Sequence, residues 1–259
     1  MNITKTLILS LALAMPAVAA TQRIAIVKTD DVTAVNRKWD RCFKIANDKG
    51  IKVSAGIIAD SFEKQGPDYG KWLKKWDATG TVEYWNHGWD HKRWTEDGKG
   101  KSEFGNSGYD HQIEHLKKAQ AAYKSALGKD FTIFGSPFNA MDEDTAKALN
   151  KIPELKLVFC DPGAPATKAM KDKILLPMSL RGEHDGTGKP DFEKFKDDYA
   201  NKDGPDLTFA AIQFHPMGFS EKGFQDYAAI LDFLKSEGWT FMLPSEYAAT
   251  KKKTKEAIR

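Results

Sequence analysis

Cysteine is nearly absent from this chain of 259 residues: Cys42 and Cys160 are the only two, so no disulfide framework holds the fold together. Long hydrophobic runs are missing as well. A bilayer span needs roughly 20 apolar residues, and none occurs, which predicts no membrane span. There is also no large excess of one charge, with 39 Lys and Arg against 36 Asp and Glu. The surplus sits in a basic tail holding Lys251, Lys252, Lys253, Lys255 and Arg259, expected to be solvated and frayed. The body is close to neutral, so nucleic acid is not expected as a partner. With 41% hydrophobic and 29% charged residues, 20 Gly and 11 Pro, the composition is that of a globular protein, not of a disordered or low-complexity one.

The one apolar stretch that stands out is N-terminal. Lys5 precedes an apolar run of about ten residues, and Pro16-Ala17-Val18-Ala19-Ala20 supplies small residues for cleavage, the pattern of a secretory signal peptide. Residues 1–20 are read as that signal, and residues 21–259 as a single exported domain, periplasmic or secreted. An oxidising compartment permits Cys42 and Cys160 to pair. The alternative is that each is a buried small hydrophobe.

Strand and helix patterns alternate along the mature chain. Arg23 to Lys28 reads as a strand followed by a helix through Asn47, a strand from Ile51 to Ile58, a helix from Asp68 to Asp77 and a strand from Thr81 to Asn86. The series resumes with a helix from Tyr109 to Leu127, strands at Phe131 to Phe134, Leu155 to Cys160, Ile174 to Pro177, Thr208 to Phe214 and Trp239 to Leu243, and intervening helices. Each parallel strand needs a crossover that a helix supplies, so repeated units of this kind give a parallel sheet. Their number favours a closed barrel, whose chemistry gathers at the C-terminal ends of the strands. Residues His87 to Gly108 and Arg181 to Pro190 interrupt the rhythm as long, polar, glycine-rich loops.

The chemically capable residues fall at those strand ends. Asp30 and Asp31 follow the first strand; adjacent carboxylates repel unless a cation or proton lies between them, although Asp also caps helices after such turns. His87 and His91, in Asn86-His87-Gly88-Trp89-Asp90-His91, follow the third strand. Two neutral imidazoles four residues apart can converge on one ion if the segment turns helically, and a carboxylate from another strand end completes three protein ligands. His215 ends a late strand, where a histidine bonded to backbone is the plainer alternative.

Thr29-Asp30-Asp31, the His-x-x-x-His of 87 and 91, Ser136-Pro137-Phe138 and Phe214-His215-Pro216 together resemble the ordered motifs of the polysaccharide deacetylase family, the NodB-like carbohydrate esterases. The resemblance spans roughly residues 24 to 243. It implies an α/β fold, a distorted (β/α) barrel with about seven parallel strands. It also implies a divalent metal, most often zinc, held by Asp31, His87 and His91. Asp30 would be the general base acting on a metal-activated water and His215 the acid for the leaving group, with the backbone N–H of Phe138 stabilising the oxyanion. The implied activity is removal of acetyl groups from an N- or O-acetylated polysaccharide or oligosaccharide. Three departures stand out: Gly135 or Phe134 occupies the place of the arginine that opens the third motif, Gly88 replaces a Ser or Thr, and Asp161 is a poor match to the residue that tunes the acid. Arg93 or Arg181 could supply the missing guanidinium from a loop.

Two further readings compete. A carbohydrate-binding barrel without turnover fits the missing arginine. His111-Gln112-Ile113-Glu114-His115 matches the HxxEH pattern of inverted zinc peptidases, although the same helix is amphipathic in the ordinary way, with His115 packed and His111 at the surface. Trp89 and Trp94, flanking the histidines, are candidates for a sugar platform, while Trp72, Trp76 and Trp85 read as core. His184 is expected to be solvated.

Overall fold

A computed structural model of the chain describes residues 22–202 and 204–257. The signal peptide expected at residues 1–20 lies outside the described residues. In chain order the elements are β1 (Arg23–Val32), α1 (Arg37–Asp48), β2 (Val53–Ile57), α2 (Ser61–Lys64), α3 (Pro67–Asp77), β3 (Val82–Asn86), β4 (Arg93–Glu96), β5 (Lys99–Ser102), α4 (Tyr109–Leu127), β6 (Ile133–Gly135), α5 (Glu143–Asn150), β7 (Leu157–Cys160), β8 (Ile174–Pro177), β9 (Leu180–Arg181), α6 (Phe192–Asn201), β10 (Phe209–Phe214), α7 (Glu221–Ser236), β11 (Trp239–Phe241) and α8 (Pro244–Ala257).

Nine strands form one sheet in the order β8-β7-β6-β3-β2-β1-β10-β9, with β11 on the edge of β1 that β2 leaves free. Every pairing within it is parallel. The two edges, β8 and β9, are separated only by Met178 and Ser179. Residues 174–181 therefore act as one bent strand, bonding to β7 with its first half and to β10 with its second. The barrel is closed by this covalent connection instead of a hydrogen-bonded seam, which is the expected distortion. Counting β8 and β9 as one leaves seven positions around the barrel, plus the short β11.

Strand alternation sorts the core into two layers. Ala25 and Val27 of β1, Tyr84 of β3 and Ile212 of β10 face the helices, packing with Trp39, Phe43, Leu116 and Tyr227. Ile26, Trp85, Ile133, Phe159 and Ala211 face inward and fill the barrel with Leu157, Leu176 and Tyr247. The inner rows continue past these apolar residues into polar ones: Lys28 and Asp30 on β1, His87 after Trp85, Gln213 and His215 after Ala211. The apolar floor thus ends where the polar site begins.

Several expectations change. The loop expected over residues 87–108 contains the β4–β5 hairpin, whose turn places Asp97 at φ 50° and Gly98 at φ 71°. An Asp-Gly pair with both residues at positive φ is the turn that matches the twist of a two-stranded ribbon. The tail is helical as far as Ala257, the end of α8, with Lys251 exposed and 5.1 Å over the Tyr247 ring; Arg259 lies outside the described residues. Cys42 and Cys160 are both buried and free, one in α1 and the other ending β7, so they do not pair. Burial pushes the Cys42 thiol up to about 12, as befits a small hydrophobe. His184 is buried, not solvated, because its backbone N–H donates to Lys189 O across a tight loop. Among the described residues, no helix is long and apolar enough to cross a membrane.

Candidate metal centre and active site

The site is a cavity of about 460 Å³ lined by Asp30, Asp31, His87, His91, Arg93, Phe138, Asn139, Thr187, Gln213 and His215. A regular strand would send Asp30 and Asp31 to opposite faces. Instead, three steps along β1, from Thr29 to Val32, are matched by two along β2, from Ala55 to Ile57. This bulge puts Asp31 at φ 75° and turns its carboxylate into the cavity beside that of Asp30. His91 (φ 54°), Phe138 (φ 61°) and Asn139 (φ 55°) also occupy the left-handed region. Such conformations cost of order 1–3 kcal/mol each in non-glycine residues and persist where surrounding contacts enforce them.

Asp31, His87 and His91 converge, with one ligand atom from each lying within 4.8 Å of the others. Asp31 Oδ1 is 3.3 Å from His87 Nε2 and 3.4 Å from His91 Nε2. His87 Nδ1 is 2.8 Å from Gly135 O; a carbonyl only accepts, so Nδ1 carries a hydrogen and Nε2 is the ring atom turned to the carboxylate. Asp31 Oδ1 is buried without a hydrogen-bond donor. For His91, burial and the neighbouring His87 hold the imidazole below its usual value. For Asp31, burial acts upward but is outweighed by His87, His91 and His215, and the carboxyl lies well below the carboxylate range. One carboxylate and two imidazoles aimed at one point, with an oxygen lacking a partner, fit a divalent cation.

Asp30 differs in having its hydrogen bonds met. It is 1% exposed, and Lys28 Nζ lies 2.6 and 2.5 Å from its two oxygens. Gln213 Nε2 donates to Oδ2 at 2.7 Å, and Asn139 Nδ2 donates to Gln213 Oε1 at 3.0 Å. Burial pushes this carboxyl up, but Lys28, His87 and His215 more than offset it, so Asp30 is ionised. His215 Nε2 stands 3.8 Å from Asp30 Oδ2. Glu183 grips His215 twice, accepting the backbone N–H at 2.6 Å and Nδ1–H at 2.7 Å. Burial lowers the His215 pKa, yet Glu183 and Asp30 outweigh it and the net direction is upward.

The residues foreseen from the sequence therefore gather, with exceptions. Trp89 lies instead in a groove with Phe62, Tyr69 and Lys118, and the Trp94 ring packs against His111 at 5.3 Å. Neither lines the cavity, because the turn that brings His87 and His91 inward carries Trp89 away and β4 sets Trp94 against α4. The cavity's aromatic is Phe138, with Arg93 stacked over it at 3.8 Å. Arg93 thus reaches the site without bonding Asp30, and Arg181 donates to Glu183 O. Glu183, not Asp161, holds His215. Lys28, Gln213, Glu183 and Glu103 were missed. Lys28 and Gln213 were legible as polar residues two positions before Asp30 and His215 on the same strand faces, whereas Glu183 and Glu103 arrive from loops with no local signal.

Glu103 organises the metal turn. Fully buried, it accepts the N–H groups of Trp89, of Asp90 at 3.3 Å and of His91 at 2.7 Å, and it lies 3.0 Å from His115 Nδ1. A Cβ on Gly88 would stand 2.5 Å from Glu103 Oε2, and Gly88 has φ 78°. Glycine at 88 is what lets the carboxylate reach the turn. This also disposes of the peptidase arrangement: Glu114 is exposed and paired with Lys118, and His115 is committed to Glu103.

With this geometry in hand, comparison with known proteins is decisive. The family model described as polysaccharide deacetylase matches residues 18–154, more than half of the chain. The chain belongs to the polysaccharide deacetylase family. Among solved structures, a candidate polysaccharide deacetylase from Mycobacterium smegmatis superposes with a TM-score of 0.65 at 14% identity, covering 96% of both chains. A family 4 acetyl xylan esterase from Clostridium thermocellum, solved in complex with a cobalt ion, gives 0.61 at 14% identity, covering 88% of this chain and 92% of that one. A wild-type CE4 family pseudoenzyme from Bacillus anthracis gives 0.56 at 12% identity, covering 87% of this chain and 65% of that one. At these identities the likeness shows the polysaccharide deacetylase fold, shared by proteins with and without activity. No curated protein matches the chain significantly.

Proposed function

We propose that this polysaccharide deacetylase family member is an exported, zinc-dependent hydrolase that removes acetyl groups from an N- or O-acetylated polysaccharide or oligosaccharide. The observation that carries this reading is the partnerless Asp31 Oδ1 facing Nε2 of both His87 and His91, with an ionised Asp30 and His215 lining the same cavity. A divalent ion held by Asp31, His87 and His91 would supply a Lewis acid that acidifies a water and polarises the acyl carbonyl.

The remaining chemistry belongs to the chain's own side chains. Asp30, held ionised, accepts the proton of the attacking water. His215 has its Nδ1–H fixed on Glu183, so Nε2 faces the cavity and delivers a proton to the departing amine or alcohol. The backbone N–H of Phe138, a residue of the cavity wall, would serve the developing oxyanion. Export rests on the N-terminal sequence pattern.

The test is acetate release from acetylated chitooligosaccharides, peptidoglycan and xylan, with zinc content measured on the same protein. The wild type is expected to release acetate from at least one, and Asp30→Asn to lose about 10²- to 10⁴-fold in kcat while keeping its zinc. Bound zinc with no acetate release from any of the three would instead favour a carbohydrate-binding barrel.

A further inference from the structure

We infer that Lys28 is the positioning residue for Asp30, fixing which edge of that carboxylate meets the reaction. This deepens the deacetylase reading and rests on it. Lys28 sits two residues before Asp30 on the inner row of β1, with 0% exposure, and spans both carboxylate oxygens at 2.6 and 2.5 Å. Oδ2 additionally accepts from Gln213 and is the oxygen nearest His87 Nε2 at 3.6 Å and His215 Nε2 at 3.8 Å. With Lys28 on one side and Gln213 on the other, Asp30 cannot rotate away from the two histidines.

A lysine ammonium is a mobile point charge on a flexible stem and does not by itself set a geometry. Here its surroundings do. The Nζ lies 4.7 Å over the Trp85 ring and 5.6 Å from the Phe159 ring. Trp85, on β3, fits only because both neighbouring strands present glycine to it. A Cβ on Gly56 of β2 would come within 2.4 Å of the indole, and one on Gly135 of β6 within 2.5 Å. Lys28, Trp85, Gly56 and Gly135 form one packed unit: the glycines admit the indole, and the indole supports the ammonium. A buried ion pair adds little to stability compared with apolar residues of similar volume, so its place behind the cavity wall, with Asp30 alone of the two in the lining, points to the carboxylate it holds.

The experiment compares Lys28→Met, Lys28→Gln and Lys28→Arg with the wild type in acetate release, zinc affinity by competition, and crystal structure. Lys28→Met and Lys28→Gln are expected to lower kcat by at least about 100-fold, the scale of a misplaced general base, with KM and zinc affinity little changed. Lys28→Arg, which keeps the cation, should recover most of that loss. Crystals of Lys28→Met should show the Asp30 carboxylate turned from its present position. A kcat close to wild type in Lys28→Met or Lys28→Gln, loss of zinc with loss of rate, or no recovery in Lys28→Arg would each overturn the inference. So would failure of both neutral variants to fold, which would make Lys28 structural. If the wild type itself releases no acetate, the deacetylase reading fails, and the position of Asp30 in the Lys28→Met crystal still decides whether Lys28 holds it.

Discussion

Two groups of histidine and carboxylate are built on the same turn of chain. Asp31, His87 and His91 make one; Asp90, Glu103 and His115 make the other, and both bring three ligand atoms within 4.8 Å of one another. The first offers one carboxylate and two imidazoles, the second two carboxylates and one imidazole, and either set is a possible ligand trio by residue type. They differ in what their lone pairs already do. In the second group the Glu103 carboxylate receives three backbone N–H groups and His115. Nothing there calls for a cation. In the first, Asp31 Oδ1 has no hydrogen-bond donor and faces Nε2 of both His87 and His91. Proximity of ligating residues is common, and unmet hydrogen-bonding capacity is what separates a metal site from a structural knot.

The comparison can be broken most severely at His87. His87→Ala removes a ligand outright and should lower zinc affinity by more than the roughly 10- to 100-fold typical of losing a ligand's outer partner, with acetate release lost in parallel; competition with a chromophoric chelator measures the first. The next largest effect is expected at Glu103, where Glu103→Gln cannot accept all four donors. It should destabilise the fold by about 1–3 kcal/mol and weaken zinc by roughly tenfold through the displaced turn at His91, both readable from thermal melts with and without metal. Unchanged zinc affinity in that variant would show that the second group does not serve the first.

A smaller, directional effect is expected at Glu183. The acid form of His215 is protonated, so the rate falls as pH rises through its pKa. Glu183 and Asp30 hold that pKa above the usual imidazole value despite burial. Glu183→Gln should therefore move the alkaline limb of kcat/KM to lower pH, and a limb that stays in place would remove Glu183 from the acid's environment. The smallest effect belongs to His111, whose ring rests on Trp94 and His115. His111→Ala should leave zinc content and kcat unchanged within about twofold, as for a partly exposed residue outside the machinery.

Much of the molecule was legible before its structure. The helix from Tyr109 to Leu127 and the strand from Ile174 to Pro177 have the bounds that periodicity gives them. Asp30, Asp31, His87, His91 and His215 meet in one cavity, as strand-end placement requires. The misreadings share a cause. Trp89 and Trp94 were judged by their distance from the histidines along the chain, but a turn reverses direction within a few residues and sends neighbours to opposite sides. Glu103 and Glu183 were invisible because loop residues have no periodicity to reveal their facing.

By itself, the sequence determined the barrel, the strand ends at which its chemistry gathers, and the inner row on which Lys28 precedes Asp30 and Gln213 precedes His215, because a two-residue period assigns every strand side chain to a face. Tertiary structure alone decided three things: that a bulge brings Asp31 round to the side of Asp30, that a buried carboxylate from a distant loop shapes the metal turn, and that Trp85 fills the space beside Gly135. Each depends on contacts between segments far apart in the chain, and local pattern carries no information about which partner will arrive there.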